Sequence, residues 1–214
     1  MRALTLLSAA ALIATGAAVP NVVPHQLGNK DSCVYWPSWI NTRDVDLTGT
    51  LMFVVDSAED ESINGLLLNQ FDVQFPQKTL PLLGVDLRSS RYFARAPVRC
   101  KDGIARLGIE ALYQLRICRD RNNGHILINP SANKTTLVPE IYRHAIDRKE
   151  QEGVYLGWGN QTTWGFRYQD AVCGANGVST REFVEVKLLG LPESEDDTAG
   201  YESWFKGFVK VVAW

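Results

Sequence analysis

The feature that most constrains the fold of this chain is a repeated alternation of apolar and polar residues with a period of two. Phe71, Val73 and Phe75 fall on one side of an extended backbone, and the polar residues between them fall on the other. The segments 111–118 and 183–188 repeat this alternation. Such a pattern is typical of antiparallel strands that bury one face and expose the other.

Turn signals join these segments into hairpins. The sequence Arg-Asn-Asn-Gly at 121–124 favours a tight turn, because asparagine and glycine tolerate positive φ, so 111–129 is predicted to be a β-hairpin. One segment, 137–153, has the apolar spacing of an amphipathic helix, with Gly153 to end it. Roughly ten strands and one short helix predict an all-β fold, an antiparallel two-sheet β-sandwich or jelly roll.

Residues 1–18 have the composition of a secretory signal peptide. Arg2 supplies a positive charge, an apolar run follows, and small residues precede a cleavage site after Ala18. Cleavage would leave 19–214 as a single domain, in which 19–49 forms an extended N-terminal arm. The apolar run is shorter than the roughly 20 residues that span a membrane. We therefore expect a secreted, extracellular protein without a membrane span.

An aromatic segment follows Cys33 within this arm. Trp36 and Trp39 lie on either side of Pro37, and the surrounding residues show no clear periodicity. The segment is therefore predicted to be a hydrophobic plug that packs against the edge of the sandwich and is pinned by Cys33.

The four cysteines are interpreted in the light of secretion, because an oxidising compartment favours disulfides. We expect Cys100 to pair with Cys118, since these residues flank a short hairpin-like segment, and Cys33 to pair with Cys173. No two cysteines have the Cys-x-x-Cys spacing of a metal site, and the three histidines are scattered. Neither a metal nor another cofactor is expected.

Two further features bear on partners. Asn133 and Asn160 each begin an Asn-x-Thr sequon, which predicts N-glycosylation on surface loops in a eukaryotic secretory pathway. The formal net charge is −2. This charge leaves no basic excess to neutralise phosphates, so a nucleic-acid partner is disfavoured.

The stretch "YLGWGNQTTWGFRYQD" at 155–170 contains five aromatic residues. Trp164, Phe166 and Tyr168 share one face of a predicted strand. On a buried face they would form a row of core side chains, and on an exposed face they would form a platform that stacks on sugar rings. The candidate ligand-binding residues are Trp158, Trp164, Arg167 and Tyr168.

Carboxylates and histidines are the candidate catalytic groups of the chain. A glycosidase needs two carboxylates on one face, for which the candidates are Asp170, Glu182 and Glu185. A polysaccharide lyase needs a base and a cation that holds a uronate, and the candidates are His125, Tyr113, Arg116 and Arg167. Tyr113 and Arg116 have opposite parity, which counts against that arrangement. No Gly-x-Ser-x-Gly motif is present.

These features predict a secreted, disulfide-bonded glycoprotein that binds a glycan or another extracellular surface without catalysis. A polysaccharide-active hydrolase or lyase is the first alternative. A protein that encloses a small apolar ligand, or a cyclase-type enzyme of the secretory pathway, is the second. No motif in the chain identifies a family of secreted glucanases, lyases or lectins, so whether the protein is an enzyme stays open.

Overall fold

The computed structural model describes most of the chain in ten segments. They are 18–28, 31–42, 45–75, 78–87, 96–108, 110–119, 124–130, 136–173, 179–191 and 204–214. The predicted signal peptide and the sequon at Asn133 lie outside these segments, except for Ala18. Within them the regular structure consists of strands and one short 3₁₀ turn at Glu61–Ile63.

The strands pair in an antiparallel manner throughout, which confirms the predicted all-β antiparallel class. In chain order they are β1 (Val23–Gln26), β2 (Trp39–Thr42), β3 (Val45–Thr48), β4 (Leu51–Asp56), β5 (Leu68–Phe75), β6 (Lys78–Val85), β7 (Val98–Lys101), β8 (Ile104–Leu107), β9 (Tyr113–Cys118), β10 (Ile126–Ile128), β11 (Thr136–Leu137), β12 (Glu140–Ile146), β13 (Lys149–Glu150), β14 (Val154–Gly157), β15 (Trp164–Gln169), β16 (Val172–Cys173), β17 (Ser179–Thr180), β18 (Phe183–Leu188) and β19 (Phe205–Ala213).

Nine of these strands form a closed circuit of pairings. The order is β4, β7, β8, β9, β10, β6, β18, β15 and β19, and β19 pairs again with β4. The length of β19 makes this closure possible, because Phe205–Gly207 pair with β15 and Phe208–Ala213 pair with β4. Seventeen of the described strands belong to one hydrogen-bonded sheet. They are therefore not clearly divided into the two stacked sheets of the predicted sandwich.

Alternate residues of every strand in the circuit point into one apolar core. On β4 these are Leu51, Phe53 and Val55, and on β15 they are Trp164 and Phe166, all at most 2% exposed. The opposite face is polar on strands such as β9, with Gln114 and Arg116, but it buries Phe183 on β18 and Phe208 on β19. The inner face is thus apolar on every strand, and its burial is the main stabilising contribution.

The predicted pairing of the two strands within 111–129 is present, while residues 121–123 of the predicted turn lie outside the described residues. Ile117 of β9 lies opposite Ile126 of β10, and the strands pair over three residues. Gly124, which begins the returning segment, has a φ of +88°. A Cβ atom at this position would come within 2.5 Å of the carbonyl oxygen of Leu188. Both the backbone conformation and the available space therefore require glycine here.

The predicted helix at 137–153 is wrong, because residues 140–146 form β12. This strand lies between β1 on one side and β14 on the other. Ile141 enters the core on one face, while Tyr142 and His144 are buried on the opposite face. A strand that is buried on both faces loses its alternation, and its apolar spacing then resembles that of a helix. No helix in the described part of the chain is long and apolar enough to cross a membrane.

The N-terminal arm contains the predicted plug. Trp36 is 5% exposed within the core, and Cys33 forms a disulfide with Cys100 on β7. Asp46 fixes the segment further, because it accepts hydrogen bonds from the Cys33 backbone N–H at 2.6 Å and from Trp39 Nε1 at 2.9 Å. The plug is therefore held in place by the buried Trp36 ring, by the Cys33–Cys100 disulfide and by the hydrogen bonds to Asp46.

The predicted disulfide pairings are wrong in the light of the Cys33–Cys100 bond. Cys100 lies on β7 and Cys118 on β9, with β8 between them. Two strand spacings are about 10 Å, beyond the roughly 7 Å that a disulfide can bridge. Cys118 is instead a buried free thiol, and the side chain of Cys173 lies outside the described part. The disulfide is consistent with an oxidising, extracellular compartment.

Candidate functional site

The aromatic row of β15 is divided between the core and the surface. Trp164 and Phe166 are fully buried, and Trp164 Nε1 donates a hydrogen bond to the carbonyl oxygen of Leu156 at 2.9 Å. Tyr168, at the end of the strand, is 49% exposed. Trp164 therefore cannot stack on a ligand at the surface, and its predicted role as a ligand-binding residue is corrected to a role in the core.

The turn between β14 and β15 contains the second sequon. Trp158 is half-buried against the core, while Asn160 is exposed with a φ of +65°. The backbone N–H of Asn160 donates to the Tyr142 hydroxyl at 3.0 Å, and Thr162 is buried against His144. Asn160 therefore lies on an exposed turn, as the sequon predicts. The threonine of the sequon, Thr162, is buried and forms a hydrogen bond with His144.

Glu185 of β18 lies at the centre of a polar network on the outer face. Its Oε2 atom accepts hydrogen bonds from Arg167 Nη2 at 2.8 Å and from Gln169 Nε2 at 2.6 Å. Its Oε1 atom lies 2.6 Å from His125 Nε2. Arg167 and Glu185 meet because they are opposite each other in the β15–β18 register. This network brings together three of the candidate residues, His125, Arg167 and Glu185.

The electrostatics of Glu185 favour a permanently ionised carboxylate. Burial raises its pKa, but the hydrogen bonds and charges of His125 and Arg167 outweigh burial and lower the pKa to about 2. A carboxyl group with this pKa has no proton to donate near neutral pH. The other two carboxylate candidates, Asp170 and Glu182, are exposed at the end of this strand pair. Within the described residues, neither forms a hydrogen bond with Glu185.

Trp204 covers this network on its outer side. The guanidinium carbon of Arg167 lies 4.5 Å from the centre of the Trp204 ring, and Lys187 Nζ lies 5.8 Å from it. Gly165 allows the close approach, because a Cβ atom there would lie 3.1 Å from Trp204 Cε3. Arg167 is thus held between a carboxylate and an aromatic ring, which are typical partners of a structural arginine.

The lyase arrangement is only partly assembled. His125 and Arg167 contact the same carboxylate, as described above. Arg116 instead donates to Gln114 Oε1 from Nε at 3.3 Å and from Nη2 at 2.8 Å, and Tyr113 is exposed at the start of β9. The structure therefore does not bring all four candidates to one point.

Tyr168 forms a separate site at the surface. Its hydroxyl donates to Asp60 Oδ2 at 2.8 Å and lies 3.1 Å from Ser62 Oγ. Phe205 lies beside it, with ring centres 5.6 Å apart. Burial and the neighbouring Asp60 raise the pKa of Tyr168, and the hydrogen bond from Ser62 lowers the pKa of Asp60. The ring is fixed in orientation while half of its surface stays open to solvent.

The sequence did not indicate the partners of Tyr168. Asp60 lies 108 positions away and precedes the 3₁₀ turn, where it also caps the N–H of Ser62. Phe205 begins β19 and is brought to β15 by pairing opposite Phe166. Only the closure of the strand circuit joins these groups.

Within the described segments, no group of three or more histidine, cysteine, aspartate or glutamate side chains could hold a metal ion. No protein-family model matches the chain, and a comparison with curated proteins finds no significant similarity.

Proposed function

We propose that this chain is a secreted, non-catalytic binding protein that recognises a glycan through the site at Tyr168. The observation that carries this proposal is an exposed aromatic ring that is held in place by two polar side chains. An aromatic face stacks on the apolar C–H face of a pyranose, and nearby carboxylates accept hydrogen bonds from sugar hydroxyls. Tyr168 and Asp60 provide these two kinds of contact on one small surface.

The fixed orientation of the ring supports a binding role. A side chain that is already immobilised loses little conformational entropy when a ligand binds, so more of the contact energy appears as affinity. Asp60 and Ser62 immobilise Tyr168 through its hydroxyl, and Phe205 supports the ring from the side. Phe205 is half-buried and extends the apolar surface beside Tyr168.

Secretion is part of the same proposal. The predicted signal peptide at 1–18 would direct the chain to an oxidising compartment, where the Cys33–Cys100 disulfide is stable. An N-glycan at Asn160 would lie on the turn that precedes β15, whereas Tyr168 lies at the opposite end of this strand. A glycan there would leave the Tyr168 site open.

A polysaccharide-active enzyme is the second candidate, and one observation favours it. The pair His125–Glu185, with 2.6 Å between Nε2 and Oε1, has the geometry of a base oriented by a carboxylate. In this role Glu185 would position His125 rather than transfer a proton itself. His125 is only 7% exposed, so a substrate would need access that Trp204 limits.

Retention on immobilised polysaccharides tests the binding proposal. We would compare the wild type with Tyr168→Ala and Tyr168→Phe on neutral polysaccharides, at a temperature where all are folded. The alanine variant is expected to lose retention, because the stacking surface is removed, and the phenylalanine variant should keep most of it. Tyr35→Ala is the matched control, since Tyr35 is 53% exposed elsewhere on the surface. Equal retention by Tyr168→Ala and the wild type would contradict the proposal.

A further inference from the structure

The outer face of β7, β8 and β9 carries three half-buried arginines on adjacent strands. Arg99 on β7 lies directly opposite Arg106 on β8, and Arg106 lies opposite Gln114 on β9. Arg116 is two residues further along β9 on the same face. Directly opposed residues of an antiparallel pair have Cβ atoms about 5 Å apart. The three guanidinium groups therefore lie close together on one surface. We call the surface formed by Arg99, Arg106 and Arg116 the arginine face.

The positive charge of the arginine face is not compensated within the described part of the chain. None of the ion pairs among the described residues includes an arginine of this face. These pairs are His125–Glu185, Arg143–Glu150, Arg167–Glu185 and Arg181–Asp86. The Nε atoms of Arg99 and Arg106, like that of Arg167, are buried and have no hydrogen-bond partner among the described residues. Burial, and then the charge of Arg106, lower the pKa of Arg116. Arg106 and Arg116 thus repel each other, and no ion pair among the described residues neutralises any of the three arginines.

Such an arrangement costs free energy in the protein alone. Like charges directly opposite each other in a sheet destabilise it, and a buried N–H group without a partner loses its hydration without compensation. An arrangement of this kind is relieved when an external anion accepts hydrogen bonds from the guanidinium groups.

We infer that the arginine face is a binding site for an acidic polysaccharide that carries carboxylate or sulfate groups. The planar guanidinium group matches the two oxygens of such an anion in a bidentate manner. From β7 to β9 the arginines span two strand spacings, about 10 Å, which is more than one carboxylate or sulfate covers. Several anionic groups along one chain would therefore engage the face together. Gln114 lies at its centre, and because its Oε1 atom accepts from Arg116, its NH₂ group is the part that would donate to sugar hydroxyls.

A nucleic acid is a less suitable occupant. Phosphate polymers are held mainly by many cationic contacts, and the formal net charge of −2 gives this protein no general attraction for them. A local cluster of three arginines suits a ligand whose charges are spaced and whose remaining surface is neutral. The inference is independent of the Tyr168 site, because that site needs no charge on the ligand.

Binding to three polymers with one backbone tests the inference. Dextran, carboxymethyl-dextran and dextran sulfate share the same sugar chain and differ in charge. We expect the wild type to bind the two charged polymers at least tenfold more tightly than dextran at the arginine face. The double variant Arg99→Gln/Arg106→Gln should bind them at least tenfold more weakly than the wild type. Its residual binding should also depend less steeply on salt, because fewer counterions are displaced.

The control removes the same charge at another place. Arg143→Gln/Lys149→Gln eliminates two exposed cations on β12 and β13 and should leave affinity within about twofold. Equal losses in both double variants would show a nonspecific charge effect and overturn the inference. Equal or tighter binding of a single-stranded DNA oligonucleotide at the arginine face would overturn the assignment to a polysaccharide.

Stability provides a second readout that does not depend on finding the natural ligand. Because the arginines repel one another, Arg99→Gln/Arg106→Gln should unfold at the same urea concentration as the wild type or at a higher one. Dextran sulfate should raise the melting temperature of the wild type and not that of the double variant. A lower urea midpoint for the variant, together with unchanged polymer binding, would show that the arginines are structural. Failure of retention on neutral polysaccharides would concern Tyr168 alone.

Discussion

Replacing Glu185 with glutamine tests whether this carboxylate holds the outer face of β15 and β18 together. The amide keeps the size of the side chain but has one acceptor oxygen instead of two. Arg167 and Gln169 both donate to Oε2, and His125 contacts Oε1. The neutral amide can no longer form an ion pair with Arg167, and its NH₂ group cannot accept a hydrogen bond from Arg167 or Gln169.

The expected loss follows from the electrostatics of the site. The pKa of Glu185 falls from 4.5 to about 2. At about 1.4 kcal/mol for each factor of ten, this favours the ionised folded state by roughly 3 kcal/mol. The Arg167 side chain is 43% exposed, and water screens part of its attraction. We therefore expect Glu185→Gln to lower the free energy of unfolding by about 2 kcal/mol.

Urea unfolding at neutral pH measures this loss, with Glu182→Gln as the control. Glu182 is exposed on the same strand pair, and its amide should change stability by less than about 0.5 kcal/mol. The wild type should also lose stability as the pH falls from about 4.5 towards 2, because a carboxyl with a lowered pKa stabilises only while it is ionised. The Glu185→Gln variant should not show this part of the loss of stability at low pH, because it has no carboxyl group at this position to protonate. Equal stability of the two amide variants would refute the reasoning.

Three further predictions concern the interior. The pKa of His144 is lowered from 6.5 to about 4, mainly by burial, so the neutral form stabilises the fold. The wild type should lose roughly 2 kcal/mol between pH 6.5 and 5, and His144→Gln should lose less over this range in urea unfolding. Trp164→Ala should cost about 3–5 kcal/mol of stability, measured in the same way. Peptide mapping under non-reducing conditions should recover Cys33 linked to Cys100, and opening that 67-residue loop should cost about 4 kcal/mol.

The strand content and the alternation of faces could be predicted from the sequence because they are local properties. Leu115 and Ile117 of β9 point into the core while Gln114 and Arg116 point outward, as the period of two requires. Which face of β15 is buried could not be predicted. Trp164, Phe166 and Tyr168 lie on the same face of the strand whether that face packs in the core or is exposed as a binding platform. Burial of Trp164 and exposure of Tyr168 depend on which neighbours cover each end of the strand.

The sequence-based predictions were wrong where residues far away along the chain determine the local structure. The residues of β12 have a helical spacing, but partners on both sides make them a strand. The disulfide of Cys100 depends on the arm returning to β7 rather than on distance along the chain. Arg99 and Arg106 face each other through the β7–β8 register, which alternation alone does not reveal. Candidate sites built from several strands are invisible for the same reason.

The central claim is that this protein binds a glycan at Tyr168 and does not cleave it. The most direct test incubates the purified protein with soluble and insoluble polysaccharides and measures both retained protein and released sugar. We expect retention on at least one neutral polysaccharide, no soluble product, and loss of retention in Tyr168→Ala. Product release that requires His125, or no retention on any polysaccharide, would contradict the claim.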